Sequence, residues 1–218
     1  MSPLTVRSVD YSPLAPVYTT ITRLLTGGGV ERTQRRLLAH IKPGDRVLDA
    51  GCGPGPFNAD LARCGAVVTF MDLSPAMVRR AQTRVEAALG PSHAHRFQVG
   101  DVFTHAPPQP YDVVIAAFFL NTFSWQDSQR VLAHLCGLVA PGGTLCIADE
   151  GRSPRPWVAA MLDLVRPPTL SIYRLFTGQP VHGLYDYDPV LLALGWTIER
   201  RERDSRDYLV ATAWRRVA

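Results

Sequence analysis

Residues 47–57 read VLDAGCGPGPF. An apolar run leads into Gly51, Gly53 and Gly55, interleaved with Cys52, Pro54 and Pro56. Glycines this dense leave the main chain bare and free to turn with positive φ. A strand, a glycine-rich turn and a helix together make a concave backbone whose N–H groups hold a polar or anionic ligand closely.

Working outward from that turn, strand-like runs recur at RVLDA (46–50), VVTFM (67–71), HRFQVG (95–100), DVVIAAF (112–118) and TLCIADE (144–150). They are short, apolar and rich in β-branched residues, as expected of strands buried on both faces of a parallel sheet. Helical patterns separate them. In SPAMVRRAQTRVEAALG, Ser74 can cap, Pro75 fits the first turn, Met77, Ala81, Val85 and Ala88 share a face, and Gly90 ends the run. A second pattern spans Trp125 to Val139 and stops at Pro-Gly-Gly. The closing stretch GWTIERRERDSRDYLVATAWRR reads as two strands around a charged turn. The alternation predicts an α/β fold: a Rossmann-like, doubly wound, mostly parallel seven-stranded sheet with an antiparallel C-terminal strand pair. Forty-four residues separate Glu150 from Gly195, more than a crossover needs. They hold a candidate helix, PWVAAMLDLV (156–165), and then RPPTLSIYRLFTGQPVHGLYDYDP, rich in Pro, Tyr and Phe. The expectation is one domain over residues 1–218, with 1–30 and 151–190 forming a helical and loop cap above the carboxyl ends of the strands, where open α/β sheets bind ligands. The alternative is packing that thickens one side of the sheet.

With 218 residues, 46% of them hydrophobic, the chain can bury one sizeable core. Its net charge of +4 comes almost entirely from arginine, Lys42 being the only lysine. That mild excess suits a solvated surface or an anionic partner, and lacks the dense basic and aromatic stripe of nucleic-acid binding. The longest apolar run, VVIAAFFL (113–120), is too short to span a bilayer, and the first residues show no signal-peptide pattern; a cytoplasmic location is expected. Cys52, Cys64, Cys136 and Cys146 are scattered, so reduced, mostly buried thiols are expected rather than disulfides or zinc. His93 and His95, in a turn-like segment, read as solvated.

Two ligands compete for the glycine turn, a dinucleotide and S-adenosylmethionine. The dinucleotide pattern G-x-G-x-x-G/A needs a small residue at position 56, which is Pro here, and the spacing found is G-x-G-x-G. From about residue 40 to 150 the chain resembles the class I S-adenosylmethionine-dependent methyltransferases. VLDAGCGPG, TFMDLSPAMVRRA, QVGDV and the pair YDVVIAAFFLNTF and LVAPGGTLCIADE follow that family's motif order. The resemblance implies that Asp49, Gly51, Cys52, Gly53 and Gly55 meet the methionine part of the cofactor. It implies that Asp72 accepts from the ribose hydroxyls with Leu73 and Met77 nearby, that Asp101 and Val102 meet the adenine, and that Ala117 and Phe118 adjoin the cofactor. Read without the resemblance, Asp72 and Asp101 are equally candidates for helix or turn caps. The length and order further resemble the ubiquinone and menaquinone C-methyltransferases and the bacterial phosphatidylethanolamine N-methyltransferases, which places Tyr11 and Tyr18 near the active site. Tyr18-Thr19 departs from the Tyr-Asp common there.

The implied reaction is methyl transfer to a small-molecule or lipid-precursor acceptor by in-line displacement, with S-adenosylhomocysteine as product and no metal. Phe118, Phe119, Phe123 and Trp125 offer an apolar acceptor wall, with plain core as the alternative. His182, in a polar and aromatic loop with Tyr185 and Tyr187, is the candidate base. Asn121 is the candidate for orienting an acceptor's polar group, and Asp149 and Glu150 can add polar contacts. Arg152, Arg155, Trp157 and the apolar face that follows have the chemistry of an interfacial helix, so peripheral membrane contact stands beside lid and oligomer packing. Two other functions stay open: a binding module without turnover on the same fold, and an NAD-dependent oxidoreductase.

Overall fold

The computed structural model describes residues 18–178 and 180–216. Two short helices, α1 (Tyr18–Thr26) and α2 (Gly29–Arg36), precede a sheet of seven strands. The strands are β1 (Arg46–Ala50), β2 (Val67–Asp72), β3 (Arg96–Val99), β4 (Tyr111–Ala117), β5 (Val139–Glu150), β6 (Trp196–Arg203) and β7 (Leu209–Arg216). Five further helices connect them: α3 (Phe57–Ala62), α4 (Pro75–Leu89), α5 (Trp125–Leu138), α6 (Pro156–Thr177) and α7 (Asp188–Ala193). The strand order is β3-β2-β1-β4-β5-β7-β6. β1 to β5 pair in parallel, while β7 runs antiparallel to both β5 and β6. The chain reverses its direction of winding between β1 and β4, which opens a crevice at their carboxyl ends.

The sheet separates two cores. Leu37, Val47, Phe57, Leu61, Val68 and Phe70 fill one face, and Leu48, Leu120, Leu132, Leu135, Leu145 and Trp214 the other. β1 carries buried residues toward both layers, so its apolar run needs no alternation. The edge strands differ from that expectation: β3 and β6 are largely exposed because each has one neighbour and incomplete cover. Charged pairs occupy the β6 edge, among them Arg201–Asp188 and Arg215–Glu199, which discourages further strand pairing there.

α4 follows its sequence signals closely. Ser74 Oγ accepts from the Met77 N–H at 3.3 Å, and Gly90 closes the helix with φ +81°. Three expectations are corrected. First, the candidate helix at 156–165 continues as one 22-residue helix through Pro167 and Pro168 to Thr177. The prolines remove two intrahelical donors, normally a strong break. Val158 and Leu162 hold the first half against Tyr208 and Leu209, and Ser171 Oγ donates back to the Pro167 carbonyl oxygen at 2.8 Å. Second, His95 is not simply solvated, because its Nδ1 accepts from the Val68 N–H at the start of β2 (3.3 Å). His93 packs beside it, with both ring nitrogens shielded from solvent. Third, only Cys52 and Cys146 are buried, Cys64 and Cys136 being half-buried; all four are free thiols. Among the described residues no helix is long and apolar enough to cross a membrane.

Candidate functional site

An open cavity, about 1100 Å³ with the adjoining solvent space included, lies at the carboxyl ends of β1, β2, β3 and β4. Gly51, Cys52, Gly53, Pro54, Gly55 and Pro56 form its floor after β1. The turn is fixed from below, since the Gly51 and Cys52 N–H groups both donate to the Met71 carbonyl oxygen (2.8 and 2.9 Å). Gly51 has φ +71°, and a Cβ there would lie 2.2 Å from Cδ2 of Phe119. Gly53 has φ +53° and nothing within 4 Å of the place its Cβ would take. One glycine admits an aromatic ring, and the other leaves bare main chain toward the hollow.

Asp72 ends β2, where its carboxylate is held in two directions. Its Oδ2 accepts from the Gly53 N–H (3.1 Å) and its Oδ1 from the Ser74 N–H (2.9 Å). Asp101 follows β3 and accepts from the Phe103 N–H at 3.0 Å, capping the turn Val102–Thr104. The two readings from sequence, cap and ligand contact, are therefore compatible: both carboxylates make local bonds, and both line the cavity with Gly53. Leu73, Met77, Val102, Ala117 and Phe118 line it as well. Asp49 is not among the lining residues. It is buried within β1, its Oδ2 lacks a hydrogen-bond partner among the described residues, and burial, reinforced by the nearby Asp72 charge, pushes its pKa up to about 7. The same burial, together with the Asp49 and Asp72 charges, raises the Cys52 thiol well above its ordinary range, so it is a neutral contact and no nucleophile.

Phe119 and Phe123 form the opposite wall, their rings edge to face at 5.1 Å and 89°. Phe118 adopts φ +55°, a left-handed conformation that costs about 1–2 kcal/mol in a non-glycine residue. Its N–H donates to the Ala148 carbonyl oxygen at 2.7 Å, which holds the bend at the end of β4 and turns Phe119 over Gly51. Trp125 does not border the cavity; it opens α5 and packs on Tyr185 and Tyr187, at 5.1 and 6.1 Å between ring centroids.

His182, Asn121 and Tyr185 also lie outside the lining residues and build a neighbouring network. His182 Nε2 is 2.6 Å from the Asn121 carbonyl oxygen and Nδ1 is 2.6 Å from that of Gly183. Both carbonyls are acceptors, and which ring nitrogen donates depends on the tautomer. The candidate base expected from sequence therefore sits in this neighbouring network and not among the lining residues. Asn121 Nδ2 donates to Asp149 Oδ1 (2.7 Å), and the Tyr187 hydroxyl donates to Asp149 Oδ2 (3.1 Å). Tyr185 stacks on His182 (4.3 Å) and donates its hydroxyl to the Phe123 carbonyl oxygen at 3.1 Å, so it reaches the cavity wall through Phe123. Arg166 joins α6 to the network by pairing with Glu150 (2.7 Å) and donating to the His182 carbonyl oxygen (3.1 Å). Burial, then the Glu150 charge, raises the Asp149 pKa to about 7, against the hydrogen bonds and Arg166 that lower it.

Sequence reasoning missed the part of the wall given by Thr19, Thr22, Val30, Glu31 and Gln34 of α1 and α2. A signal existed: Thr19, Thr22 and Thr26 share one face of α1, and Gly27-Gly28-Gly29 can fold the chain back. None of the described lining residues comes from 151–190. Tyr11 lies outside the described residues; Tyr18 opens α1, and its side chain lies outside them too.

Raised carboxylic acids give a signed pH dependence. The folded state keeps the Asp49 proton up to about pH 7, whereas an unfolded Asp releases it near 3.9. This contribution to stability is complete below about pH 4 and lost as pH rises through 7. Asp49→Asn removes it. The melting temperature of the variant relative to the native protein is expected to rise by several degrees between pH 5 and pH 7.5, about 2–4 °C per kcal/mol for a chain of this size. A difference that does not vary with pH would show Asp49 to be ionised in the fold.

Comparison with known proteins agrees with this geometry. Residues 47–143 match the family model described as a methyltransferase domain. The chain is 29% identical over 175 residues to the chloroplastic magnesium protoporphyrin IX methyltransferase of Arabidopsis thaliana, covering 78% of this chain and 50% of that one. It is 34% identical over 122 residues to a ubiquinone biosynthesis O-methyltransferase of Xanthomonas campestris, covering 55% and 49%. The chain thus spans about half the length of these curated relatives. Its fold is similar to the crystal structure of a magnesium protoporphyrin IX methyltransferase from Synechocystis with bound S-adenosylhomocysteine, with a TM-score of 0.67, 22% identity, and coverage of 95% and 100% of the two chains. The strand order, the glycine turn and the two strand-end carboxylates accord with the match of residues 47–143 to a methyltransferase domain.

Proposed function

We propose that the chain binds S-adenosylmethionine at the glycine turn and transfers its methyl group to a small-molecule or lipid-like acceptor held against Phe119 and Phe123. The observation that carries this reading is the convergence of Gly53, Asp72 and Asp101, from three separate strand ends, on one cavity. When bound, the cofactor supplies a methyl group already activated on a sulfonium, and the displaced product is S-adenosylhomocysteine. What the chain must add is alignment and exclusion of water. The open main chain at Gly53 takes the methionyl part, Asp72 accepts from the ribose hydroxyls, and Asp101 with Val102 meets the adenine. Leu73 and Met77 give the apolar surface beside it, and the buried Asp49 supports the turn from below. Phe118 positions Phe119, and the network of Asn121, Asp149, His182 and Tyr185 sets the place of Phe123.

A lipid-like acceptor is supported by the aromatic wall and by α6, which leaves Trp157, Leu164 and Leu175 exposed. Within the expected capping segments, α1 and the start of α2 act as the cap over the cavity, while Arg166 and His182 brace its neighbour network. The test is transfer of isotope from methyl-labelled S-adenosylmethionine to extracted small molecules, offered free and in anionic vesicles. The expected result is a labelled product whose formation fails in Asp72→Ala. Cofactor binding with no labelled product in any extract would favour the binding module instead.

A further inference from the structure

The α1–α2 wall of the cavity carries polar atoms that have no partner among the described residues. Gly27 and Gly28 adopt φ +59° and +74°, and the chain doubles back so that Thr22 of α1 faces the same hollow as Glu31 and Gln34 of α2. Thr22 Oγ1 and Glu31 Oε2 are shielded from solvent and lack hydrogen-bond partners among the described residues. A desolvated carboxylate oxygen without a donor is unfavourable. The cations close to Glu31 in sequence are engaged elsewhere. Arg32 donates to the Gly27 carbonyl oxygen (2.8 Å), Arg35 pairs with Asp60 (2.7 Å), and Arg36 pairs with Glu202 (3.6 Å). The charged residues lining the cavity are Glu31, Asp72 and Asp101, all acidic, with no Arg or Lys among the described lining residues. An otherwise basic chain therefore encloses a negative hollow, and low-dielectric walls strengthen such a field.

We propose that Glu31, with Thr22 and Gln34, binds a positively charged nitrogen of a ligand in this cavity. A carboxylate, a hydroxyl and an amide oxygen give three acceptors for the N–H groups of one ammonium. The inference rests on the reading of the cavity as a methyl-transfer site. The nitrogen has two sources, the ammonium of the methionyl part of the cofactor or an amine on the acceptor. In either case the wall disfavours carboxylate-bearing acceptors.

The experiment compares the native protein with Glu31→Gln, which keeps shape and removes charge, and with Thr22→Val. Calorimetry measures S-adenosylhomocysteine affinity; fluorescence titration of the protein saturated with it measures phenethylamine and 3-phenylpropionate, which share an aromatic body and differ in charge. The expected result is a loss of tenfold or more in Glu31→Gln for one nitrogen-bearing probe, with 3-phenylpropionate unchanged or tighter, and a smaller loss of the same kind in Thr22→Val. A loss confined to S-adenosylhomocysteine assigns the cofactor's ammonium, and one confined to phenethylamine assigns an acceptor amine. S-Adenosylhomocysteine affinity unchanged in Glu31→Gln, together with no charge-dependent preference between the aromatic probes, overturns the inference. Failure of the native protein to bind S-adenosylhomocysteine at all would instead overturn the methyl-transfer reading. Unaltered melting temperatures separate either result from misfolding.

Discussion

Asp72→Ala is expected to weaken S-adenosylhomocysteine binding by about a hundredfold or more. The carboxylate anchors the glycine turn through the Gly53 N–H and the entry to α4 through the Ser74 N–H. Hydrogen bonds to a charged acceptor are worth about 1.5–3 kcal/mol each, and about 1.4 kcal/mol is a factor of ten in affinity. Alanine removes the acceptor from both main-chain groups and from the ligand's hydroxyls together. Asp72→Asn retains one acceptor oxygen and should fall between, near tenfold. Calorimetry with circular dichroism checks both, and an alanine variant that is folded yet binds within threefold of the native protein would remove Asp72 from the site.

Gly51→Ala should damage the same region by a different route. Its Cβ would lie 2.2 Å from the Phe119 ring, on a backbone with φ +71°. The conformation alone costs about 1–2 kcal/mol, and overpacking adds about 1–3 kcal/mol. The melting temperature is expected to fall by roughly 5 °C or more, with ligand binding impaired because both the turn and the aromatic wall must move. Combining Gly51→Ala with Phe119→Ala relieves the clash and leaves the backbone cost, so the pair should lose less than the two single changes added together. Simple additivity of the melting-temperature losses would contradict the contact.

The sheet was legible because its strands are apolar, β-branched runs separated by helices with local start and stop signals, as at Ser74 and Gly90. The residues that meet at the cavity were legible for the same reason: Gly53, Asp72 and Asp101 each lie at or just past a strand end, and the right-handed winding of parallel strands brings such positions to one edge. What could not be read depends on contacts distant in sequence. Pro167-Pro168 signals a helix end, yet α6 runs on with its first half packed against Tyr208 and Leu209. His182 looked like a base in a polar loop, and only the carbonyl of Asn121, 61 residues away, shows how its ring is engaged. Glu31 lies one residue beyond the 1–30 segment expected as a cap. Its place on the cavity wall follows from the fold-back at Gly27 and Gly28.

Crystallisation with S-adenosylhomocysteine tests the central claim most directly. The adenosine is expected between Asp72 and Asp101, with the homocysteine part along the open main chain at Gly53. A ligand bound elsewhere, or protein side chains filling the space those three residues share, would contradict it.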